Sequence, residues 1–160
     1  MLFLRERLKT KINRLGFNLF PVYFGTGAHI TYIADDFHEV HIKLPFSWRT
    51  RNYVGTIFGG SMYAAVDPVY MVMLIKMLGP GYVVWDKSAN IQFKRSSTQT
   101  LRAKFLIAHE EIEKIKSELT GKKSLERTYR VDLINDNGKT HATIEKTIYI
   151  SRRFMDRNGN

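Results

Sequence analysis

Residues 52–67 form the stretch NYVGTIFGGSMYAAVD, in which two adjacent glycines open a long apolar segment that contains one carboxylate. From Gly60 to Leu78 nearly every side chain is apolar, which predicts a helix that is buried on most of its faces. The sequence Gly79-Pro80-Gly81 ends this helix. The rest of the chain therefore has to cover an apolar helix, and Asp67 inside that helix has to be explained.

Strands are predicted on both sides of this helix. Before it, residues 28–46 alternate as two short strands with a turn at Asp35-Asp36, and after it four strand-like segments follow. Asn137-Gly138 joins the last two as a tight hairpin, and the segment EEIEKIKSEL has charges at helical spacing. An antiparallel sheet around one buried helix is an α+β architecture. We expect a single domain over residues 1–155 and a disordered tail over residues 156–160.

The composition excludes several kinds of site. The 160 residues include no cysteine, so disulfides and cysteine-based metal sites or nucleophiles are excluded. The five histidines are scattered without metal-ligand spacing, and no metal is expected. The net charge of +10 can attract a phosphorylated ligand, anionic lipid or nucleic acid. No nucleic-acid-binding motif is present, so nucleic acid is not expected as a partner.

The location expected from the sequence is the cytoplasm. The N-terminus lacks the apolar core and cleavage site of a signal peptide. No apolar run reaches the ~20 residues that span a bilayer. The lack of cysteine fits the same compartment.

An amphipathic helix is predicted over residues 1–20. Leucines and isoleucine recur there at steps of three and four, and basic side chains fill most of the opposite face. We expect this helix to pack on the rest of the domain. A basic amphipathic helix can also lie on a membrane, which is the less favoured role.

Asp67 has two interpretations from the residues alone. It precedes Pro68, and aspartate followed by proline is a preferred start of a helix, so Asp67 could cap the second half of a kinked helix. Alternatively it is a buried carboxylate that acts as general base or nucleophile. Gly59-Gly60 at the helix start favours the second interpretation, because free backbone amides there can bind an oxyanion. Both interpretations remain open at this point.

The spacing Asn52-x-x-Gly55-x-x-Phe58-Gly59-Gly60, with Asp67 seven residues after Gly60, resembles hot-dog thioesterases of the phenylacetyl-CoA thioesterase type. The segments RNYVGTIFGGSMYAAVDP and VVWDKSANIQFKR look like a bacterial branch of that superfamily classed as a domain of unknown function. The resemblance covers nearly the whole chain. It implies a six-stranded antiparallel sheet curled around the long helix, and at least a homodimer with two sites at the subunit interface. Pairing of dimers into a tetramer is left open.

Roles for individual residues also come from this resemblance. It implies that Asp67 is general base or nucleophile for thioester hydrolysis, and that the amide of Gly60, with Gly59, polarises the thioester carbonyl. Asn52 matches the asparagine that orients water or substrate. Phe58 departs from the pattern, since the typical enzyme has histidine there, and Phe58 is expected to line an acyl pocket instead.

In hot-dog enzymes the region after the strand that flanks the site commonly meets the coenzyme A phosphates, so the resemblance implies phosphate binding by four consecutive residues with suitable side chains: Lys94, Arg95, Ser96 and Ser97. The alternative from the residues alone is a solvated strand end. The first hypothesis is therefore a homodimeric enzyme that hydrolyses a medium- or long-chain acyl-CoA thioester. No cofactor is expected, since coenzyme A is part of the substrate. The alternative is a non-catalytic protein that binds acyl-CoA or lipid at a membrane surface.

Overall fold

The computed structural model describes residues 7–153, which form one six-stranded sheet in the order β1-β2-β4-β5-β6-β3. Every neighbouring pair of strands is antiparallel. The predicted tail and the first six residues of the predicted N-terminal helix lie outside the described residues. The strands are β1 (His29–Ile33), β2 (Glu39–Leu44), β3 (Tyr82–Phe93), β4 (Leu101–Leu106), β5 (Ser124–Ile134) and β6 (Thr140–Arg152).

Five helices accompany the sheet in the described part of the chain. They are α1 (Leu8–Leu19), α2 (Pro21–Thr26), α3 (Gly59–Val66), α4 (Val69–Leu78) and α5 (His109–Gly121). Helices α3 and α4 are the two halves of the predicted central helix, and Gly79 ends it with a φ of 87°. The segment EEIEKIKSEL lies within α5, as its charge spacing indicated.

The central helix packs against the apolar face of the sheet. Strand alternation supplies that face, for example Val40, Ile42 and Leu44 of β2. Met73 and Leu74 of α4 are fully buried in the same core. This is the hot-dog arrangement of a curled antiparallel sheet around a long helix, as expected from the sequence.

The segment Gly59–Leu78 is long and apolar enough, by length and composition alone, to cross a membrane. Its mean hydropathy is 1.3, so the expectation that no segment would meet this criterion is wrong. The criterion averages over the segment and so tolerates its few polar residues. Packing of this helix against the sheet accounts for its apolar composition.

Helix α1 packs on the domain, as expected, but through its polar side. Asn18 donates from its side chain to the carbonyl of Ile30 and accepts from the amide of Ile30, at 2.9 and 2.7 Å. Thr10 is buried and donates to Asp35. Because β1 is an edge strand, Asn18 satisfies backbone groups that no further strand reaches. The leucines of α1 consequently face outward.

Candidate active site

Asp67 lies at the junction of α3 and α4, where the central helix is interrupted by Pro68. Its backbone is helical, with φ −49° and ψ −53°, and its amide donates to the carbonyl of Tyr63. Neither helix segment has a side-chain hydrogen bond at its N-terminal cap. The interpretation of Asp67 as the cap of the second half is therefore wrong. An N-cap needs an extended backbone and a carboxylate turned onto the following amides, and Asp67 has neither.

The carboxylate of Asp67 instead binds the ammonium group of Lys146, which reaches it from β6. Lys146 Nζ lies 2.5 Å from Asp67 Oδ1 and 3.2 Å from Asp86 Oδ2 of β3. It also donates to the hydroxyl of Tyr63, at 3.4 Å. The Lys146 side chain is only 1% exposed, whereas Asp67 is 41% exposed. A buried lysine thus holds a carboxylate that remains open to ligand on its other side.

The second carboxylate of this group is more enclosed. Asp86 Oδ1 is buried and has no hydrogen-bond partner among the described residues. Burial raises the pKa of Asp86 above its usual value, and the nearby charge of Lys146 only partly opposes that rise. Burial by itself lowers the pKa of Lys146, but the hydrogen bond to Asp67 and the charge of Asp86 raise it overall. Lys146 is therefore a fixed cation at neutral pH.

Tyr63 completes the group one helical turn before Asp67. Burial raises the pKa of its hydroxyl, and the hydrogen bond with Asp67 raises it further. The phenol therefore keeps its proton at neutral pH and can donate it in a hydrogen bond to the Asp67 carboxylate.

An apolar pocket of about 390 Å³ opens beside Asp67. Phe17, Phe20 and Val22 line it on the side of α1 and α2, and Tyr63 and Asp67 border it on the side of α3. The volume falls within the range of small-ligand sites, which are mostly apolar with a few polar groups. Such a pocket can take an acyl chain with its reactive end near Asp67.

A second cleft, of about 310 Å³, lies at the N-terminus of α3. Gly59 lines it together with Lys94, Arg95 and Ser96, which follow β3. The amides of the first helical turn have no partner within the helix and point outward at this end. Free amides and two basic side chains make this cleft suited to an anion such as a phosphate or a developing oxyanion.

Close packing explains why two glycines begin α3. A Cβ atom on Gly59 would lie 2.9 Å from the ring of Phe93, and one on Gly60 would lie 2.3 Å from the ring of Phe58. The Phe58 ring thus covers Gly60 and is itself 56% exposed. Phe58 does not line either of these two cavities, and its expected acyl-pocket role stays a prediction.

Two other predicted site residues make hydrogen bonds within their own loops. The Asn52 side chain donates to the Thr56 hydroxyl and accepts from the Thr56 amide, both at 2.9 Å. Ser97 is buried, and its hydroxyl bonds both the amide and the carbonyl of Gln99. Both residues hold the loops that present the cleft and do not line it.

The two halves of the predicted site do not meet within one chain. Asp67 follows Gly60 by seven residues, which is about 10 Å along a helix. Reacting atoms need to approach within about 3.5 Å. The Asp67 pocket and the Gly59 cleft are accordingly separate cavities.

Sequence reasoning missed Lys146, although the sequence contains a signal for it. Along β6 the residues Ala142, Ile144, Ile148 and Ile150 are fully buried on one face of the strand. Lys146 occupies the middle of that alternation, which places it in the core. A lysine on an apolar face needs an acidic partner, which the pattern of β6 does not identify.

The described residues also bring together one carboxylate and two imidazoles outside this site. Ligand atoms of Asp36, His38 and His109 all lie within 4.8 Å of one another. Asp36 and His38 are 2.5 Å apart, and Asp36 and His109 are 3.1 Å apart. Asp36 and His38 are hydrogen-bonded, and the group lies away from Asp67.

Several solved structures share this fold. A Pseudomonas aeruginosa protein of unknown function, called "Probable Thioesterase", has 14% identity and a TM-score of 0.79, covering 90% of this chain and 96% of that one. A Chlorobaculum tepidum protein of unknown function has 16% identity and a TM-score of 0.72, with 91% and 95% covered. A Haemophilus influenzae thioesterase has 14% identity and a TM-score of 0.67, with 99% and 100% covered. At these identities the likeness shows the fold.

Sequence comparison points to one family. No curated protein sequence matches the chain. The family model described as "Domain of unknown function (DUF4442)" matches residues 9–150, which is most of the chain and includes the central helix and all of the sheet except the last two residues of β6. The chain therefore belongs to the DUF4442 family, with a hot-dog, thioesterase-like fold.

Proposed function

We propose that this protein is an acyl-CoA thioesterase that hydrolyses a medium- or long-chain acyl thioester. The observation that carries the proposal is the Asp67 carboxylate at the border of the apolar pocket, fixed by the buried Lys146. A carboxylate held from behind and open in front suits general-base chemistry. The thioesterases among the structural neighbours support the same class of reaction.

The proposed reaction uses one water molecule. Asp67 accepts a proton from water while the water oxygen attacks the thioester carbonyl carbon. The carbonyl oxygen becomes an oxyanion, which the Gly60 amide stabilises at the start of α3. The carbon–sulfur bond then breaks, the sulfur takes the proton, and the products are a carboxylic acid and a thiol. Lys146 and Tyr63 position the Asp67 carboxylate throughout.

A homodimer is part of this proposal, because Asp67 and Gly60 are about 10 Å apart along one helix. A second copy would bring the glycine end of its α3 to the Asp67 of the first. The strand that could join two copies is β3, a 12-residue strand at one edge of the described sheet. Edge pairing of β3 with its copy would also satisfy its exposed backbone groups.

Coenzyme A is the proposed carrier because Lys94 and Arg95 flank Gly59 in the cleft. The test compares acyl-CoA with the matching acyl-pantetheine, which lacks the nucleotide phosphates. Replacing Lys94 and Arg95 with alanine should raise KM for acyl-CoA at least ~10-fold, since each charged hydrogen bond contributes about 1.5–3 kcal/mol. KM for the pantetheine substrate should stay within about 2-fold. Equal losses for both substrates would remove these residues from carrier recognition.

A non-catalytic acyl-CoA or lipid-binding protein is the second candidate. The observation that favours it is Phe58, whose ring covers Gly60 and cannot hydrogen-bond a carbonyl. Release of free thiol from acetyl- to palmitoyl-CoA separates the two candidates. Hydrolysis of one chain-length class, lost in Asp67→Ala, supports the enzyme. Tight acyl-CoA binding by calorimetry without thiol release supports the binding protein.

A further inference from the structure

Helix α1 has an exposed apolar ridge. The ridge consists of Leu8, Ile12, Leu15 and Leu19, each between 58% and 74% exposed. At about 100° per residue, the four side chains lie within about 60° of one another on the helix surface. Single exposed apolar side chains are ordinary, but a continuous row marks a binding surface.

Two further exposed apolar residues follow the ridge in the chain, one between α1 and α2 and one in α2. Phe20 is 60% exposed and Val22 is 75% exposed. Arg49 stacks on Phe24 of the same helix, with its guanidinium carbon 4.2 Å from the ring centroid. The surface formed by the ridge with Phe20 and Val22 is called the α1–α2 face below.

Basic side chains flank the ridge. Lys9 and Lys11 lie on either side of it and are exposed. The first turn of α1 contains no acidic residue that would neutralise these lysines. The last turn contains no basic residue, so the positive charge lies towards the start of the helix. The chain as a whole carries a net charge of +10. An apolar row between lysines is complementary to a bilayer surface, where acyl chains meet anionic headgroups.

The apolar pocket adjoins this face. Phe20 and Val22 belong to the α1–α2 face and also line the pocket that Asp67 borders. A ligand acyl chain could therefore pass from the face into the pocket without crossing water. This connection favours a lipid surface over a partner protein, because only a lipid surface supplies acyl chains to the pocket.

We propose that the α1–α2 face docks the protein on an anionic lipid bilayer. The ridge enters the boundary between headgroups and acyl chains, and Lys9 and Lys11 contact anionic headgroups. The docking itself is independent of the proposed hydrolysis; only the use of the pocket by an acyl substrate rests on that function.

The first test measures co-sedimentation of the full chain with vesicles of equal parts phosphatidylcholine and phosphatidylglycerol. The ridge variant is Ile12→Ser with Leu15→Ser, and its matched control is Leu106→Ser with Ile134→Ser, two exposed apolar residues elsewhere. Circular dichroism checks that both variants remain folded. The ridge variant should lose on the order of 100-fold in vesicle partitioning, as expected for two apolar side chains. The control should bind like wild type.

The second test concerns charge. Lys9→Gln with Lys11→Gln should lower partitioning onto the anionic vesicles about 10- to 30-fold, since each lysine near such a surface contributes about 1 kcal/mol. Lys114→Gln with Lys139→Gln makes the same change of net charge at other exposed positions and should have a smaller effect. Wild-type binding should also weaken on pure phosphatidylcholine and at high salt.

Three results would overturn the docking proposal. The first is that wild type does not bind anionic vesicles at low salt. The second is that the ridge variant binds as well as wild type. The third is that wild type forms an oligomer that the ridge variant cannot form, while neither protein binds vesicles. The third result would assign the face to a second copy of the chain. Hydrolysis of acyl-CoA substrates from acetyl to palmitoyl is measured in parallel without vesicles. Turnover of one chain-length class, or of none, reports on the enzyme proposal and leaves the docking result separate.

Discussion

Replacing Lys146 with methionine should strongly destabilise the protein at neutral pH. The substitution keeps an unbranched side chain of similar length in the core and removes the charge. It leaves Asp67 and Asp86 facing each other without their shared cation. Asp86 Oδ1 already has no partner among the described residues, so Asp86 loses its only cation. The cost is therefore that of unpaired carboxylates in a poorly hydrated site.

The magnitude follows from how enclosed the two carboxylates are. Breaking a buried ion pair from one side typically costs about 3–5 kcal/mol. Asp86 is 24% exposed, but Asp67 is 41% exposed and can regain water. We expect the low end, about 3 kcal/mol. For a chain of this size each kcal/mol shifts Tm by about 2–4 °C, so Tm should fall by about 6–12 °C.

Thermal unfolding at several pH values tests this estimate. The pKa of Lys146 is raised above its usual value near 10.5, so its stabilisation is complete at pH 7 and is lost only as the pH rises through the raised value. In Lys146→Met the deficit should shrink at acid pH, where the carboxylates take up protons. Lys87→Met is the control, because Lys87 pairs with Glu126 at the surface and should cost less than about 1 kcal/mol. A Lys146→Met Tm equal to that of the control would refute the reasoning.

Three further substitutions test the fold. Gly27→Ala should cost about 2–4 kcal/mol by denaturant unfolding, because Gly27 has φ +80° and its Cβ would lie 2.4 Å from Thr50 Cγ2; Gly16→Ala in open space on α1 should instead gain up to about 1 kcal/mol. Burial raises the pKa of Glu39, but the hydrogen bond from Lys104 lowers it overall. At a pH above the usual pKa of 4.5, the ionised Glu39 therefore stabilises the fold. This stabilisation is lost as the pH falls through the lowered pKa. Glu39→Gln should cost about 1 kcal/mol at pH 7 and nothing well below pH 4, and an equal cost at both pH values would contradict this.

The element order could be predicted from the sequence because each element carries its own period. Strand β2 alternates buried and half-buried residues along its whole length, and α4 is apolar on nearly all sides. Such patterns depend only on neighbours in the chain. The position of Asp67 on the central helix followed for the same reason.

The partner of Asp67 could not be predicted in the same way. Lys146 is 79 residues away in the chain and meets Asp67 only because the central helix packs against the face of the sheet on which β6 carries Lys146. Its alternation on β6 indicated burial but gave no partner. The cap interpretation of Asp67 failed for a related reason, since a carboxylate beside a buried ammonium gains more from that charge than from a helix amide.

The orientation of α1 shows the limit of periodicity more directly. The row of leucines and isoleucine predicted a face for the core, yet the side of the helix that contacts the domain carries Thr10, Phe17 and Asn18. The deciding factor is the outer edge of β1, where the backbone groups of Ile30 need hydrogen-bond partners and find them in Asn18. That edge exists only once the sheet has formed, so no local pattern in residues 8–19 could reveal it.

Thiol release by wild type and Asp67→Asn, over acyl-CoA substrates from acetyl to palmitoyl, tests the central claim most directly. Asparagine keeps the shape of the side chain and can still accept from Lys146, so the variant should remain folded. Asp136→Asn, at an exposed surface ion pair with Arg102, is the control. We predict turnover of one chain-length class by wild type and the control, with a loss of at least ~100-fold in Asp67→Asn. No turnover of any substrate by wild type, or equal turnover by Asp67→Asn, would contradict the account.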